Sequence, residues 1–188
     1  MGDFEKEKKA YLDKLYKPDF SKKGSVDEEI KGLVDRINSL KDYYTTSSCA
    51  GRAMLIMIPK DQKRKDLAKW LFVSHKPIRF EDLPLKKFPK NTVWLRQESM
   101  ILHVCCRDLE SAQEIIDKAK FVGFKRSGVM ATKNRIIVEI TGTEKMDIPI
   151  TNGGKLAVTK NYLRFLANEV NKKMKINMGK MEKFQGLL

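Results

Sequence analysis

The chain has 188 residues, of which 41% are hydrophobic and 33% are charged. This composition favours one globular domain and excludes wholesale disorder. No apolar stretch approaches the ~18 residues that a membrane-spanning helix needs, and the charged N-terminus lacks the apolar core of a signal peptide. Three cysteines without C-x-x-C spacing favour a reducing cytosol. We therefore expect a cytoplasmic protein without membrane attachment.

The net charge of +14 is distributed unevenly along the chain. Residues 1–42 hold ten basic and ten acidic side chains, so the whole excess lies in residues 43–188, with 28 basic against 14 acidic side chains. Such a surplus predicts a polyanionic partner that meets the body of the protein. The alternative is a lysine-rich surface that serves only solubility.

The first half of the chain predicts two helices followed by strands. Residues 4–16 have apolar side chains partly in helical register, and a second helix extends to Leu40 from Ser25, whose spacing to Glu28 is that of a capping box. The basic segment 60–65 is predicted to be a turn. Apolar and β-branched runs predict four strands, at residues 53–59, 69–74, 92–97 and 99–106.

The second half predicts a helix, three strands and a last helix. Asp108 is a suitable N-cap for a helix to about Phe121, and Gly123 stands where a left-handed helix end favours glycine. A turn is predicted at residues 151–154, before the last helix. Strands are predicted at residues 127–132, 135–141 and 146–150, and the last helix at 155–174, with Val158, Tyr162, Phe165, Leu166 and Val170 on its core face.

This order of elements does not alternate as in a doubly wound parallel sheet. We therefore predict an α+β fold with a mixed or largely antiparallel sheet, rather than a Rossmann fold. One domain is expected over residues 1–188. It comprises a charge-neutral helical segment at 1–42, a basic α+β body at 43–175, and a segment at 176–188 whose sparse apolar pattern allows a mobile tail.

Small polar residues crowd the stretch before the strand predicted at residue 53. Ser47, Ser48 and Cys49 precede a glycine and Arg52, and together they could hold a carboxylate, a ribose or a phosphate. The alternative is a helix-to-strand connection whose hydroxyls only cap backbone groups. Cys49 could also be a nucleophile, although the sequence shows no base at a suitable spacing.

The two histidines, His75 and His103, each end or interrupt a predicted strand. A neutral imidazole accepts protons near neutral pH, so either histidine could be a general base, and a hydrogen-bonded core histidine is the equal alternative. Two histidines without a third nearby ligand make a weak zinc site, so no metal is expected.

Ser127 and Gly128 end a segment in which two glycines accompany two cations. This segment could bind phosphate, or it could be a helix end followed by an edge strand. The dinucleotide-binding fingerprint G-x-G-x-x-G and the P-loop are both absent. Bases could stack on four aromatic side chains, Trp70, Trp94, Tyr43 and Tyr44, although aromatic side chains at strand positions are more often part of a core.

Six segments, taken together, have a family-specific pattern. They are Asp19–Asp27, Tyr43–Arg52, Trp70–His75, Glu98–Val104, Gly123–Gly128 and Arg135–Ile140. They resemble the wybutosine-synthesising methyltransferases of archaea and eukaryotes, which methylate N4 of 4-demethylwyosine in phenylalanine tRNA. The resemblance extends in order over nearly the whole chain. Ala50 departs from it, because the family usually has serine there.

The resemblance implies S-adenosylmethionine as methyl donor and the modified guanosine at position 37 of the anticodon loop of phenylalanine tRNA as acceptor. It implies that His75 or His103 receives the proton of the acceptor nitrogen. The implied donor or base ligands are Ser47, Ser48, Cys49, Arg52, Ser127, Gly128 and Arg135. The alternatives are a non-catalytic module that binds structured RNA and, with less support, a thiol hydrolase that uses Cys49.

Overall fold

The computed structural model describes residues 3–15, 26–59 and 68–188. The helices among these residues are α1 (Asp3–Leu15), α2 (Glu28–Ser39), α3 (Leu109–Phe121) and α4 (Lys160–Leu187). The strands are β1 (Tyr43–Cys49), β2 (Arg52–Met57), β3 (Lys69–Ser74), β4 (Val93–Glu98), β5 (Ile101–Cys106), β6 (Gly128–Ala131), β7 (Ile136–Thr141), β8 (Met146–Pro149), β9 (Thr151–Asn152) and β10 (Lys155–Leu156). Within the described residues, no helix has the length and apolar character needed to cross a bilayer.

Residue contacts divide the chain into two compact units, each built from separate stretches of sequence. The first unit comprises Met1–Ala50, Met100–Thr143 and Met178–Leu188, and the second comprises Gly51–Ser99 and Glu144–Asn177. Each unit has its own sheet and its own buried core. The expectation that residues 1–188 act as one domain stays a prediction.

In the first unit, four strands form an antiparallel sheet in the order β1-β5-β7-β6. On one face, strand residues such as Leu102 and Val104 join apolar residues of α2 and α3 in a buried core. On the other face lies α1, whose Phe4 and Tyr11 rings are 5.3 and 5.1 Å from the ring of Tyr44. Side chains alternate along a strand, so residues two apart share one of these faces.

In the second unit, the strands are antiparallel in the order β3-β2-β4-β8. One sheet face packs on the N-terminal part of α4 through a core that includes Leu55, Leu95 and Val170. The Asn171 amide fixes this part of α4 to the segment after β3, because Nδ2 donates to the carbonyl oxygen of Ile78 and Oδ1 accepts from its N–H, both at 2.8 Å.

A two-residue turn joins β9 and β10. Gly153 and Gly154 form the turn with φ angles of 58° and 81°, and a two-residue hairpin turn with two positive φ angles strongly favours glycine. The turn predicted at residues 151–154 is confirmed.

The predicted fold class is confirmed, since helices pack on antiparallel sheets and the strands and helices do not form a doubly wound parallel sheet. The predicted ends of α3 are also present. The Asp108 carboxylate accepts from the N–H of Ser111 at 2.8 Å, and Gly123 follows the helix with φ 103° and donates to the carbonyl oxygen of Lys120 at 3.0 Å.

Two predictions about the last helix are wrong. The helix begins at Lys160 and continues to Leu187, so residues 176–188 are not a mobile tail. Met181 and Phe184 are buried in the core of the first unit, which fixes this end of the helix. Tyr162 and Phe165, predicted to be in the core, are 45% and 53% exposed.

The stretch 43–49 is a strand, β1, which was not predicted. Strands are usually recognised by alternating apolar and polar side chains, and the run of hydroxyl side chains in this stretch does not show that alternation. The stretch forms a strand because it pairs with β5. The capping box predicted from Ser25 and the basic turn predicted at residues 60–65 lie outside the described residues.

Candidate functional site

The hydroxyl side chains of β1 differ in their burial and in their hydrogen-bond partners. The Thr45 N–H donates to Oδ1 of Asn38 at 2.8 Å, and the Thr45 hydroxyl accepts from Nδ2 of Asn38 at 3.0 Å. Both side chains are buried, so this pair holds α2 to β1. A register shift between Thr45 and Ser47 then leaves Ser47 exposed and opposite His103.

Ser47, His103 and Glu139 form a hydrogen-bonded row across three neighbouring strands. The register pairs Ser47 of β1 with His103 of β5, and His103 with Glu139 of β7. The Ser47 hydroxyl lies 2.8 Å from Nδ1 of His103, and Nε2 of His103 lies 3.1 Å from Oε2 of Glu139. The His103 side chain is 24% exposed, so it is held firmly and still reaches solvent.

The partners of His103 determine what the ring can do. An ionised carboxylate only accepts hydrogen bonds, so Nε2 carries the hydrogen shared with Glu139. In the neutral ring Nδ1 is then the acceptor, and it takes the hydrogen bond of the Ser47 hydroxyl. A proton can therefore pass from the Ser47 hydroxyl to His103, and the carboxylate of Glu139 stabilises the imidazolium that results.

A cavity of about 640 Å³ adjoins this row. His103 and Thr46 line it from the sheet, Tyr11 lines it from α1, and Lys133 and Arg135 line it from the segment between β6 and β7. Its volume lies within the range of roughly 300–1,000 Å³ that is usual for small-molecule sites.

Arg135 is joined to α1 at the edge of the cavity. Its guanidinium donates to both carboxylate oxygens of Glu7, at 2.9 and 3.2 Å, and to the hydroxyl of Tyr11 at 2.9 Å. The hydrogen bond to Glu7 raises the pKa of Arg135. Hydrogen bonds from Arg135 and Tyr44 lower the pKa of Glu7. The guanidinium is thus a fixed cation beside the cavity.

Ser127 and Gly128 have different structural roles. The buried hydroxyl of Ser127 donates to the carbonyl oxygen of Phe124 at 2.7 Å and so stabilises the turn after α3. Gly128 pairs with Glu139 across β6 and β7, and a Cβ at Gly128 would meet no atom within 4 Å. The structure therefore leaves open space next to the Glu139 strand position.

The remaining β1 residues and the cysteines have unequal access to solvent. Ser48 pairs with Leu102, and Cys49 pairs with Ile101 and is half-buried. Cys105 and Cys106 are buried. Burial raises the pKa of both of these thiols, that of Cys106 to about 12, so neither is a nucleophile at neutral pH.

Arg52 and His75 lie in the second unit. Nε of Arg52 donates to Oε2 of Glu98 at 3.0 Å, and its guanidinium carbon lies 4.5 Å from the ring centroid of Trp70. Nδ1 of His75 lies 2.9 Å from the carbonyl oxygen of Gly51, so this nitrogen carries a hydrogen and donates. The conformation of Gly51, with φ 91°, is one that glycine favours.

The structure thus brings some of the predicted residues together. Ser47 and His103 form a hydrogen bond, and His103 and Arg135 line one cavity. Glu139 was not predicted, because one carboxylate in a strand has no distinguishing spacing in sequence. Only the pairing of β5 with β7 reveals it as the partner of His103.

In the comparison with known proteins, residues 6–188 match the family model of Methyltransferase TYW3. A tRNA(Phe) 7-((3-amino-3-carboxypropyl)-4-demethylwyosine(37)-N(4))-methyltransferase of Thermococcus sibiricus is 36% identical, with 97% of this chain and 93% of the relative covered. The enzyme of the same name from Methanocaldococcus jannaschii is 39% identical, with 82% and 81% covered.

The fold is also similar to that of solved structures. The PH1069 protein of Pyrococcus horikoshii superposes with a TM-score of 0.90 at 34% identity, covering 98% of this chain and 95% of that protein. A protein of Aeropyrum pernix superposes with a TM-score of 0.72 at 23% identity, covering 86% and 96%, which shows a shared fold.

Proposed function

This chain belongs to the Methyltransferase TYW3 family, and on that premise we propose that it methylates N4 of a 4-demethylwyosine-type base at position 37 of phenylalanine tRNA. The reaction is a step of wybutosine biosynthesis, and S-adenosylmethionine is the methyl donor. The names of the relatives from Thermococcus sibiricus and Methanocaldococcus jannaschii specify this base and this nitrogen. The composition agrees with a cytoplasmic enzyme.

The observation that carries the proposal is the position of His103, between Ser47 and Glu139 and beside the cavity. The acceptor nitrogen loses a proton when it gains a methyl group. A group that receives this proton must lie within hydrogen-bond reach of the nitrogen or act through one intervening hydroxyl. The exposed Ser47 hydroxyl is such an intermediary for Nδ1 of His103.

The proposed proton path uses atoms of this chain alone. Ser47 Oγ accepts the proton from the acceptor nitrogen while its own hydrogen passes to Nδ1 of His103. The imidazolium is stabilised by the Glu139 carboxylate at 3.1 Å from Nε2. S-adenosylmethionine, when bound, supplies the methyl group from its sulfonium centre. The enzyme otherwise acts by positioning, because methyl transfer to nitrogen is an in-line displacement.

The residues that line the cavity suit such a donor. Its carboxylate requires a cation, which Lys133 provides at the cavity, with Arg135 beside it in its ion pair with Glu7. Its adenine ring requires apolar and aromatic surface, which Tyr11 and Met130 provide. In this assignment Lys133, with Arg135 beside it, would hold the amino-acid end of the donor, and Tyr11 and Met130 would hold the adenine.

The tRNA partner is supported by the charge of the chain. The surplus of basic side chains in residues 43–188 suits the phosphates of RNA. A base in a single-stranded loop can be turned out into a protein pocket at a cost of only a few kcal/mol. The anticodon loop of phenylalanine tRNA is such a loop.

A direct test uses phenylalanine tRNA from a strain that lacks this enzyme. We expect that the purified protein and S-adenosylmethionine convert the accumulated unmethylated base to a product heavier by one methyl group, detected by nucleoside mass spectrometry. A His103→Ala protein that still binds tRNA should give almost no product. If the unaltered protein binds this tRNA and transfers no methyl group, the non-catalytic RNA-binding module is the correct interpretation.

A further inference from the structure

The basic surplus of the chain belongs mostly to the second unit. Its stretches, 51–99 and 144–177, hold 19 basic and 8 acidic side chains, a surplus of eleven out of the net +14. The first unit, which holds the Ser47–His103–Glu139 row, is close to neutral. A polyanion that approaches the protein is therefore attracted mainly to the second unit.

Trp70 is a large exposed aromatic side chain in this basic unit. It lies on β3, an edge strand of the sheet β3-β2-β4-β8, and its side chain is 57% exposed. An indole ring that is exposed to water lacks the favourable free energy that burial of its apolar surface would provide. A large exposed ring in a unit with a surplus of basic side chains suits contact with a partner.

One face of the Trp70 ring is already covered by a cation. The guanidinium carbon of Arg52 lies 4.5 Å from the ring centroid, and Glu98 holds the same guanidinium through a bond of 3.0 Å. Arg52 and Glu98 are opposite each other on β2 and β4, so the sheet register supports their ion pair. The guanidinium that contacts the Trp70 ring is thereby held from the neighbouring strand.

We propose that Trp70, backed by Arg52, is a stacking site for an unpaired nucleobase of the RNA substrate. The occupant follows from the chemistry of the surface. A nucleobase presents a flat π-face to the indole ring, and the phosphates on either side of it meet the basic surplus of the unit. A cationic ligand does not fit, because Arg52 already places a positive charge on the ring.

This proposal rests on the proposed function in one respect, which is that the RNA is taken to be tRNA. It separates two tasks: the second unit binds RNA through Trp70, and the first unit carries the proton-accepting row. Trp70 therefore contributes to the affinity for tRNA and not to the affinity for the methyl donor.

The test measures tRNA affinity and tryptophan fluorescence. Trp70 and Trp94 are the two tryptophans of the chain, so a Trp94→Phe protein reports on Trp70 alone. Stacking of a base on an aromatic side chain contributes about 1–3 kcal/mol, so Trp70→Ala should weaken tRNA binding by about 5- to 150-fold. We expect tRNA to quench the Trp70 fluorescence, and Trp70→Phe to retain most of the affinity.

Phe121→Ala is the matched control, because Phe121 is 83% exposed and lies in the first unit. It removes an exposed aromatic ring and should leave tRNA affinity unchanged. Thermal unfolding of each variant checks that the fold is kept.

Unchanged tRNA affinity in Trp70→Ala, or loss of donor affinity instead, would overturn the stacking site while methylation by the unaltered protein still upholds the proposed function. Fluorescence that responds to an acidic protein and not to tRNA would also overturn it. If tRNA quenches the Trp70 fluorescence as expected but no methylation occurs, the stacking site is upheld and the proposed methyltransferase activity is wrong.

Discussion

Glu139 touches neither donor nor acceptor in the proposed reaction, and its role is to position His103. Its carboxylate fixes the hydrogen of His103 on Nε2 and stabilises the charged ring. This role is comparable to that of the acid in a serine–histidine–acid triad, where the carboxylate orients the imidazole without taking its proton. In the proposed reaction, the first unit would therefore provide an oriented base on its sheet.

We expect Glu139→Gln to lower kcat while tRNA affinity stays within about twofold, because the amide preserves the shape and not the charge. General-base catalysis contributes about 10²–10⁴-fold, so His103→Ala should lose that much and Glu139→Gln a part of it. Single-turnover methylation and a separate tRNA-binding titration measure the two effects.

Glu182→Gln on α4 makes the same change of charge at an exposed position and is the control. It should leave kcat unchanged. If Glu139→Gln keeps the kcat of the unaltered protein, or loses activity only through weaker tRNA binding, Glu139 does not position the base.

Among the elements, α1 is held to its sheet by polar and aromatic contacts, since none of its residues is fully buried. Glu7 pairs with Arg135, and Glu5 pairs with Arg107 at 2.6 Å. Hydrogen bonds from these arginines lower the pKa of both carboxylates below their ordinary values. Glu7 and Tyr11 also line the cavity, so the attachment of α1 and the shape of the cavity are linked.

Acid should therefore detach α1 before the two cores unfold. A carboxylate with a lowered folded-state pKa stabilises the fold above its unfolded pKa, near 4.5, and this stabilisation is lost as pH falls through the folded value. Backbone NMR should show α1 signals moving toward unstructured positions below about pH 4.5, while those of β5 persist. The control, Glu7→Gln, should loosen α1 already at neutral pH. Loss of α1 and β5 signals together would contradict this account.

The sequence predicted those elements whose signals are local. The ends of α3 follow from Asp108 and Gly123, and both act as predicted. The end of α4 was missed because Asn177 occupies a buried position where the helical pattern would have an apolar residue, and the next apolar residues, Met181 and Phe184, pack on elements distant in sequence. A single-sequence pattern does not contain that contact.

At the scale of the whole molecule, the same limit applies to the candidate site. Residue types alone identified Ser47 and His103 as candidates, and the register of three strands was needed to place them 2.8 Å apart and to add Glu139. Likewise, the charge of the chain predicted a polyanionic partner. Its concentration in one unit became visible only when contacts joined residues 51–99 with 144–177.

That concentration of charge makes a prediction about salt. Each phosphate contact releases counterions, so the logarithm of the tRNA binding constant should fall linearly with the logarithm of salt concentration, with a slope that grows by about 0.7–0.9 for each contact. Replacing Lys160 and Lys175 in the second unit with glutamine should reduce the slope. The same replacement of Lys120 and Lys125 in the first unit, which are also exposed, should change it much less. Filter-binding titrations at several salt concentrations give both slopes. An equal reduction by the two pairs would show that the RNA contacts both units alike, and the division of tasks between them would then be wrong.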